Sequence, residues 1–138
     1  MTDALLADLR DDEGFKPHVY QDHLGFWTLG YGFMVDERKG GRIPKPVAEF
    51  WLQYEVNERR DALIKRWPPY ADQPEPVQRA LLNMAYQLGV AGVLKFTNML
   101  NALERGERAE AAMHALDSTW ADQTTMRAKK VSALIRGA

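Results

Sequence analysis

Three side chains in the first thirty residues have the types and spacing needed to hydrolyse a glycosidic bond. Asp22 follows Glu13 by nine positions, and Thr28 lies six positions beyond Asp22. Inverting hydrolysis of such a bond requires a general acid, a general base roughly 6.5–9.5 Å away, and a water between the base and the sugar. Two carboxyl groups and a hydroxyl that holds the water meet this requirement. Glu13, Asp22 and Thr28 are therefore the candidate catalytic residues.

The candidate acid lies where a helix is predicted to end. Three leucines share one side of a helix predicted over residues 3–13, and Gly14 is a typical residue to stop it. The helix dipole disfavours negative charge at its C-terminus, which favours the protonated carboxyl that a general acid requires. This position therefore suits Glu13 to the acid role.

A small sheet is predicted to carry the other two candidates. Residues 15–35 contain strand formers at Val19 and Tyr20 and again at residues 26–29, with turn residues at 22–25 between them. This pattern predicts a β-hairpin or small meander, and residues 36–43 read as a polar loop.

A long helix is predicted over residues 44–66, entered through Pro44 and spanning roughly 34 Å. Its apolar stripe changes sides midway. A helix packed on one core keeps one stripe. The switch therefore predicts a connector whose halves pack on different cores. The first face comprises Val47, Phe50, Trp51 and Tyr54, and the opposite face comprises Leu52, Val56, Leu63 and Trp67.

The rest of the chain is predicted to be helical. The predicted helices cover residues 75–88, 90–95, 97–105, 107–118 and 125–136, with Thr97 as an N-cap and Gly106 as a stop. The prediction is a single 138-residue domain with an α+β, mainly helical fold. A small N-terminal α/β lobe, about residues 13–50, is joined by the connector to a helical C-terminal lobe, about residues 67–138. Helix 1 is expected to pack on the C-terminal lobe.

Composition excludes several kinds of site and partner. The chain has no cysteine, which excludes disulfides and thiolate chemistry. His18, His23 and His114 lack metal-ligand spacing, so we expect no metal and no cofactor. The net charge of −1 gives no argument for nucleic-acid binding. No apolar run approaches ~20 residues, so stable membrane insertion is not expected.

Several segments resemble the endolysins of glycoside hydrolase family 24, the T-even phage lysozymes. Residues 13–32, which contain Glu13-Gly14, Tyr20-x-Asp22 and the run from Gly25 to Gly32, are similar to the family's catalytic segment. Residues 77–89 are similar to its central helix, and residues 92–98 and 120–129 also match. The resemblance covers nearly the whole chain and implies a lysozyme-like fold.

The resemblance implies a role for each matched residue. Glu13 would be the general acid, Asp22 the base or an electrostatic stabiliser, and Thr28 the residue that positions water. Arg127 would approach Glu13 from the C-terminal lobe. The other positions implied to line the substrate cleft are Met34, Tyr86, Gln87, Asn98, Met99 and His114.

The resemblance also implies an activity. The chain would be an endolysin that hydrolyses the β-1,4 bond between N-acetylmuramic acid and N-acetylglucosamine in peptidoglycan, with inversion, for host lysis. Two alternatives stay open, a glycan-binding module without activity and a lytic transglycosylase. Phe33 stands where many relatives have histidine, and Met34, Met99 and His114 depart from the usual cleft residues. The near-neutral charge also departs from the strongly basic relatives and predicts less salt sensitivity.

We further expect a monomer located in the host bacterial cytoplasm. The N-terminus lacks the basic start and long apolar segment of a secretory signal. Bacterial peptidoglycan, the expected partner, would then be reached through a holin-type membrane lesion.

Overall fold

A computed structural model of the chain describes residues 3–36 and 41–137. The described residues form two compact units, one ending at Phe50 and the other beginning at Trp51. Each unit is described separately below.

The N-terminal unit contains one helix and a small sheet. Helix α1 (Asp3–Glu13) is followed by strands β1 (Lys16–Gln21), β2 (Trp27–Gly30) and β3 (Phe33–Asp36). The strands pair antiparallel in the order β1-β2-β3. The predicted helix and meander are therefore confirmed. Residues 37–40 of the predicted loop lie outside the described residues.

Thr28 occupies the centre of this sheet. It lies opposite Tyr20 of β1 and opposite Met34 of β3, and the pairing register shifts beside it on both strands. Its side chain is only 4% exposed, and it is the one buried residue of the described part of this unit. The side chains of α1, in contrast, are not buried.

Helix α2 (Lys45–Arg66) has nearly the predicted bounds. Its last turns contribute to a core, because Leu63 is fully buried and Trp67, just beyond the helix, is 8% exposed. The prediction that the first half also packs on a core is wrong for the described structure, because every residue of that face is exposed. These residues are Val47, Phe50, Trp51 and Tyr54.

The C-terminal unit is built from short helices around one apolar core. After a 3₁₀ helix (Pro68–Asp72), they are α3 (Glu75–Leu94), α4 (Thr97–Glu104), α5 (Arg108–Leu116), α6 (Thr119–Gln123) and α7 (Thr125–Arg136). The core residues from these elements include Tyr70, Val77, Leu81, Met84, Val93, Met99, Leu103, Trp120, Val131 and Ile135. The order and approximate bounds of the helices match the prediction, except around residues 107–123.

Helix α3 is interrupted at Gly89, whose φ of 75° and ψ of 163° are not helical. The predicted stop at this glycine is confirmed, with a second short helical segment after it. Two other predictions were wrong. Thr97 is the first helical residue, and Phe96 is the N-cap. The predicted helix over 107–118 ends at Leu116, where Ser118 caps the separate helix α6 by accepting a bond from the Ala121 N–H.

The two units together give the predicted fold class, an α+β fold that is mainly helical and carries one three-stranded antiparallel sheet. Among the described residues, no helix has the length and apolar character needed to cross a membrane.

Candidate active site

Glu13 is the last residue of α1, and its carboxyl group lies against the turn between β2 and β3. Gly14 follows with a φ of +68° and donates its N–H to Arg10 O over 3.0 Å, which closes the helix. A Cβ placed on Gly32 would lie 2.8 Å from Oε2 of Glu13. The absence of a side chain at Gly32 therefore leaves the space in which the candidate acid sits.

Asp22 lies in the turn between β1 and β2, where the backbone holds its side chain. Oδ1 accepts hydrogen bonds from the N–H groups of Leu24 and Phe26, both at 2.9 Å. The bond from Phe26 is the main reason why the pKa of Asp22 is held below its ordinary value. The group is thus a carboxylate at neutral pH, as both a base and an electrostatic stabiliser must be.

The backbone of Phe26 connects Asp22 to Thr28. Its N–H donates to Asp22 Oδ1, and its carbonyl oxygen accepts from Asp22 N over 2.9 Å and from Thr28 Oγ1 over 3.1 Å. Since the hydroxyl proton of Thr28 points to Phe26 O, the lone pairs of Oγ1 are left to accept a hydrogen bond from water. The structure therefore brings Asp22 and Thr28 together through one residue that the sequence pattern did not single out.

Met34 is the predicted substrate residue of the sheet. It is 41% exposed and lies opposite Thr28. Neighbouring Phe33, at the position where histidine was expected from the resemblance, is in edge contact with Tyr31, and Tyr31 contacts Phe15 in turn. An aromatic row thus begins next to Gly32, beside the Glu13 carboxyl group.

A groove of about 780 Å³ lies in the C-terminal unit. Asn98 is exposed at its edge, and His114 lies on its wall with Nε2 3.7 Å from Glu110 Oε1. Met99 also borders the groove, although its side chain is fully buried in the core of the unit, and its contact with substrate stays a prediction. An apolar side chain on the inner face of α4 gains more from that burial than from a wet groove.

Gln87 is held by a tryptophan that lines this groove. Its Oε1 accepts a hydrogen bond of 3.0 Å from Trp120 Nε1, and Trp120 is in turn packed edge-on against Phe96. Gln87 is itself exposed. The other lining residues of the groove are Leu88, Gly92, Lys95, Phe96, Thr97, Asp117, Ser118 and Thr119.

Tyr86 and Arg127 line a second depression, of about 540 Å³, on the C-terminal unit. Arg127 donates from Nε to Asn83 Oδ1 over 2.7 Å and from Nη2 to Asn83 O over 2.9 Å. The sequence analysis missed Asn83, and no local pattern indicates a partner 44 positions from Arg127. The approach of Arg127 to Glu13 stays a prediction.

The part of the chain that the structure describes contains no cluster of metal ligands. No group of three or more His, Cys, Asp or Glu side chains there is arranged to hold a metal ion. The candidate chemistry is that of carboxyl groups, a hydroxyl and water.

Comparison with known proteins gives a consistent result. Residues 10–136 match the family described as Phage lysozyme. The chain is 31% identical over 152 aligned positions to the pre-baseplate central spike protein of Enterobacteria phage T4, covering 92% of this chain and 26% of that protein. It thus spans about a quarter of the spike protein.

Two similar proteins come from Dictyostelium discoideum. Probable T4-type lysozyme 2 is 26% identical, with 95% of this chain and 92% of that protein covered. Probable T4-type lysozyme 1 is also 26% identical, with 98% and 95% covered. The likeness to both therefore extends over nearly their full length.

Proposed function

The chain belongs to the phage lysozyme family, and from this premise we propose that it hydrolyses the β-1,4 bond between N-acetylmuramic acid and N-acetylglucosamine in bacterial peptidoglycan. The observation that carries the proposal is the arrangement of all three candidate residues around one small sheet. Asp22 and Thr28 are joined through the backbone of Phe26, and the Glu13 carboxyl group, at the end of α1, lies against Gly32.

Each residue has one step in the proposed reaction. Glu13 donates its proton to the glycosidic oxygen as the bond to the anomeric carbon breaks, and the leaving sugar departs with a hydroxyl group. A water molecule attacks the opposite face of the sugar ring and gives a proton to Asp22. Thr28 Oγ1 accepts the water's other hydrogen bond, since its own proton is bonded to Phe26 O. Proton return from Asp22 to Glu13 through solvent completes the cycle.

Asp22 also suits a second reaction, which keeps the same acid. A carboxylate held ionised by two backbone N–H groups can stabilise positive charge at the anomeric carbon without activating water. The muramic acid 6-hydroxyl would then attack instead, as in a lytic transglycosylase. Hydrolysis yields a new reducing end that carries the mass of one water, whereas transglycosylation yields an anhydro product without it.

The deciding experiment digests purified peptidoglycan and determines the product masses. Wild type should release muropeptides with hydrated reducing ends. Glu13→Gln should lower the rate by at least about 100-fold, because a general acid contributes that much. Asp12→Asn is the matched control, since it removes an exposed carboxyl group from the same helix. Equal clearing by wild type and Glu13→Gln would reject the assignment, and binding without new reducing ends would indicate a glycan-binding module.

The biological setting that we propose is lysis of a bacterial host. The phage lysozyme family supports this role, with the enzyme made in the host cytoplasm and reaching the wall through a holin-type lesion. Expression in the bacterial cytoplasm with and without a holin gene tests it. Lysis should require both genes, and lysis by the enzyme gene alone would exclude dependence on a membrane lesion.

A further inference from the structure

Arg59, on helix α2, is fixed by neighbouring groups on two helices. Its Nε donates to Ala85 O of α3 over 3.1 Å, and its Nη1 donates to Glu55 O over 3.1 Å and to Glu55 Oε2 over 2.5 Å. The Arg59 and Glu55 side chains are 25% and 34% exposed. A planar guanidinium with three such bonds has little freedom to rotate.

Glu55 is fixed as well, because a second residue donates to its carboxyl group. Trp51 Nε1 bonds Glu55 Oε1 over 3.1 Å, so each carboxylate oxygen has its own donor. The bond from Arg59, followed by that from Trp51, lowers the pKa of Glu55. Trp51, Glu55 and Arg59 therefore form a chain of oriented groups, four residues apart, along one side of α2.

This chain ends at the ring of Tyr86. The Arg59 guanidinium carbon lies 5.0 Å from the ring centroid, which is cation–π geometry. Tyr86 is 44% exposed and lines the depression that also contains Asn83 and Arg127. An exposed tyrosine on a helix ordinarily samples several side-chain rotamers, and ordering one of them costs binding free energy when a ligand requires it. The stacked guanidinium offsets this cost before a ligand arrives.

We propose that Arg59 is a positioning residue that holds the Tyr86 ring in the orientation needed to contact the glycan, with Glu55 and Trp51 fixing Arg59. The inference rests on the proposed function and on the prediction, implied by the resemblance, that Tyr86 lines the substrate cleft. It assigns Arg59 a role in substrate affinity through the ring and no role in proton transfer.

The test compares KM and kcat on peptidoglycan for Arg59→Lys, Tyr86→Ala and the double variant. Lysine keeps the positive charge but loses the planar fork. We expect Arg59→Lys to raise KM about 3- to 10-fold with kcat within about twofold of wild type. Tyr86→Ala should raise KM at least as much. The double variant should match Tyr86→Ala alone, because a residue that acts through the ring has no effect without it.

Arg108→Lys provides the control for a purely structural arginine. Arg108 also joins two helices, since Nε donates to Ile135 O over 2.8 Å and Nη2 to Leu134 O over 3.1 Å. Its replacement should lower the melting temperature without raising KM. If Arg59→Lys behaves like Arg108→Lys, or if the effects of Arg59→Lys and Tyr86→Ala on KM multiply, the positioning role is overturned.

A binding measurement separates this inference from the proposed catalysis. The Glu13→Gln variant is titrated calorimetrically with an N-acetylglucosamine hexasaccharide, with and without Arg59→Lys. A Kd raised about 3- to 10-fold by Arg59→Lys supports the positioning role even if wild type cuts no peptidoglycan. An unchanged Kd, or no binding by either protein, overturns the inference. If wild type nevertheless clears peptidoglycan in the digestion experiment, the proposed function stands without the positioning role of Arg59.

Discussion

The three candidate catalytic residues depend on backbone groups that their spacing alone does not reveal. The types and spacing of Glu13, Asp22 and Thr28 predict the trio. The connection between Asp22 and Thr28 through the Phe26 backbone becomes visible only in the folded turn. Gly32 is equally important, because it contacts the acid across 19 positions of sequence. Main-chain geometry at two residues therefore holds the candidate side chains that the sequence pattern predicted.

Gly32→Ala tests the contact between the turn and the acid. The new Cβ would lie 2.8 Å from Glu13 Oε2 at a residue with a φ of +75°. The carboxyl group must move by a fraction of an ångström or more, so we expect the hydrolysis rate to fall about 10- to 100-fold. Gly106→Ala is the control, because it has a φ of +77° with no atom within 4 Å of the added Cβ. Similar rates for both variants would show that backbone strain alone is responsible.

Asp22→Asn tests how the stability that the turn contributes depends on pH in the acid range. The folded-state pKa of Asp22 lies below its ordinary value, mainly because of the hydrogen bond from the Phe26 N–H. Its stabilising contribution is therefore complete above the unfolded pKa and is lost as the pH falls through the folded pKa. Urea unfolding should show wild type more stable than Asp22→Asn at pH 6, with the difference disappearing below about pH 3. A difference that stays constant with pH would contradict this account.

At the residue scale, the type of a residue does not decide its role where two roles use the same type. Met99 occupies a position implied to be in the cleft, yet its side chain is fully buried. Thr97 has the residue type of an N-cap, but its hydroxyl is 3.5 Å from Lys95 O and Phe96 caps the helix. Met99 is buried in a core shared by several helices, and Phe96 is in edge contact with Trp120. A single sequence does not list such contacts.

At the scale of elements, glycine and proline marked boundaries well. Gly14 and Gly89 end helical segments as predicted, and Pro44 precedes a helix that begins at Lys45. The division between α5 and α6 was missed, because its signal is the cap at Ser118 within a sequence that is otherwise helix-forming. Boundaries set by φ are thus visible in sequence, whereas boundaries set by one side-chain bond are harder to see.

Gly89→Ala tests the interruption of α3. A φ of 75° with a ψ of 163° is a conformation essentially restricted to glycine. The substitution should lower the free energy of unfolding by about 1–3 kcal/mol. Because Gln87 precedes the break and bonds Trp120, the indole N–H resonance should also shift. Ala91→Gly, at an exposed site of the same helix, should cost only about 0.5–1 kcal/mol and leave the resonance in place. Equal losses of unfolding free energy in Gly89→Ala and Ala91→Gly would show that a side chain at residue 89 does not strain the backbone.

At the scale of the whole molecule, the sequence indicated the fold class and excluded thiolate chemistry, but it did not predict which apolar surfaces are exposed. The absence of cysteine excluded thiolate chemistry, and the alternation of helix and strand signals gave the α+β class. The changing stripe of α2 gave a correct core only for Leu63 and Trp67. The other stripe is exposed, and helical periodicity alone does not predict this.

Net charge provides the last prediction. At a net charge of −1, long-range attraction to an anionic wall is weak, so the clearing rate should change less than about threefold between 20 and 200 mM salt. Glu58→Lys with Glu104→Lys replaces two negative charges by two positive ones at exposed sites on α2 and α4, which raises the net charge by four. This double variant should clear walls faster at low salt and lose that advantage at 200 mM, because screening removes steering. Glu58→Gln with Glu104→Gln is the intermediate control and should give an intermediate salt slope. A steep slope for wild type would instead indicate that local basic residues, such as those on α7, dominate the encounter with the wall.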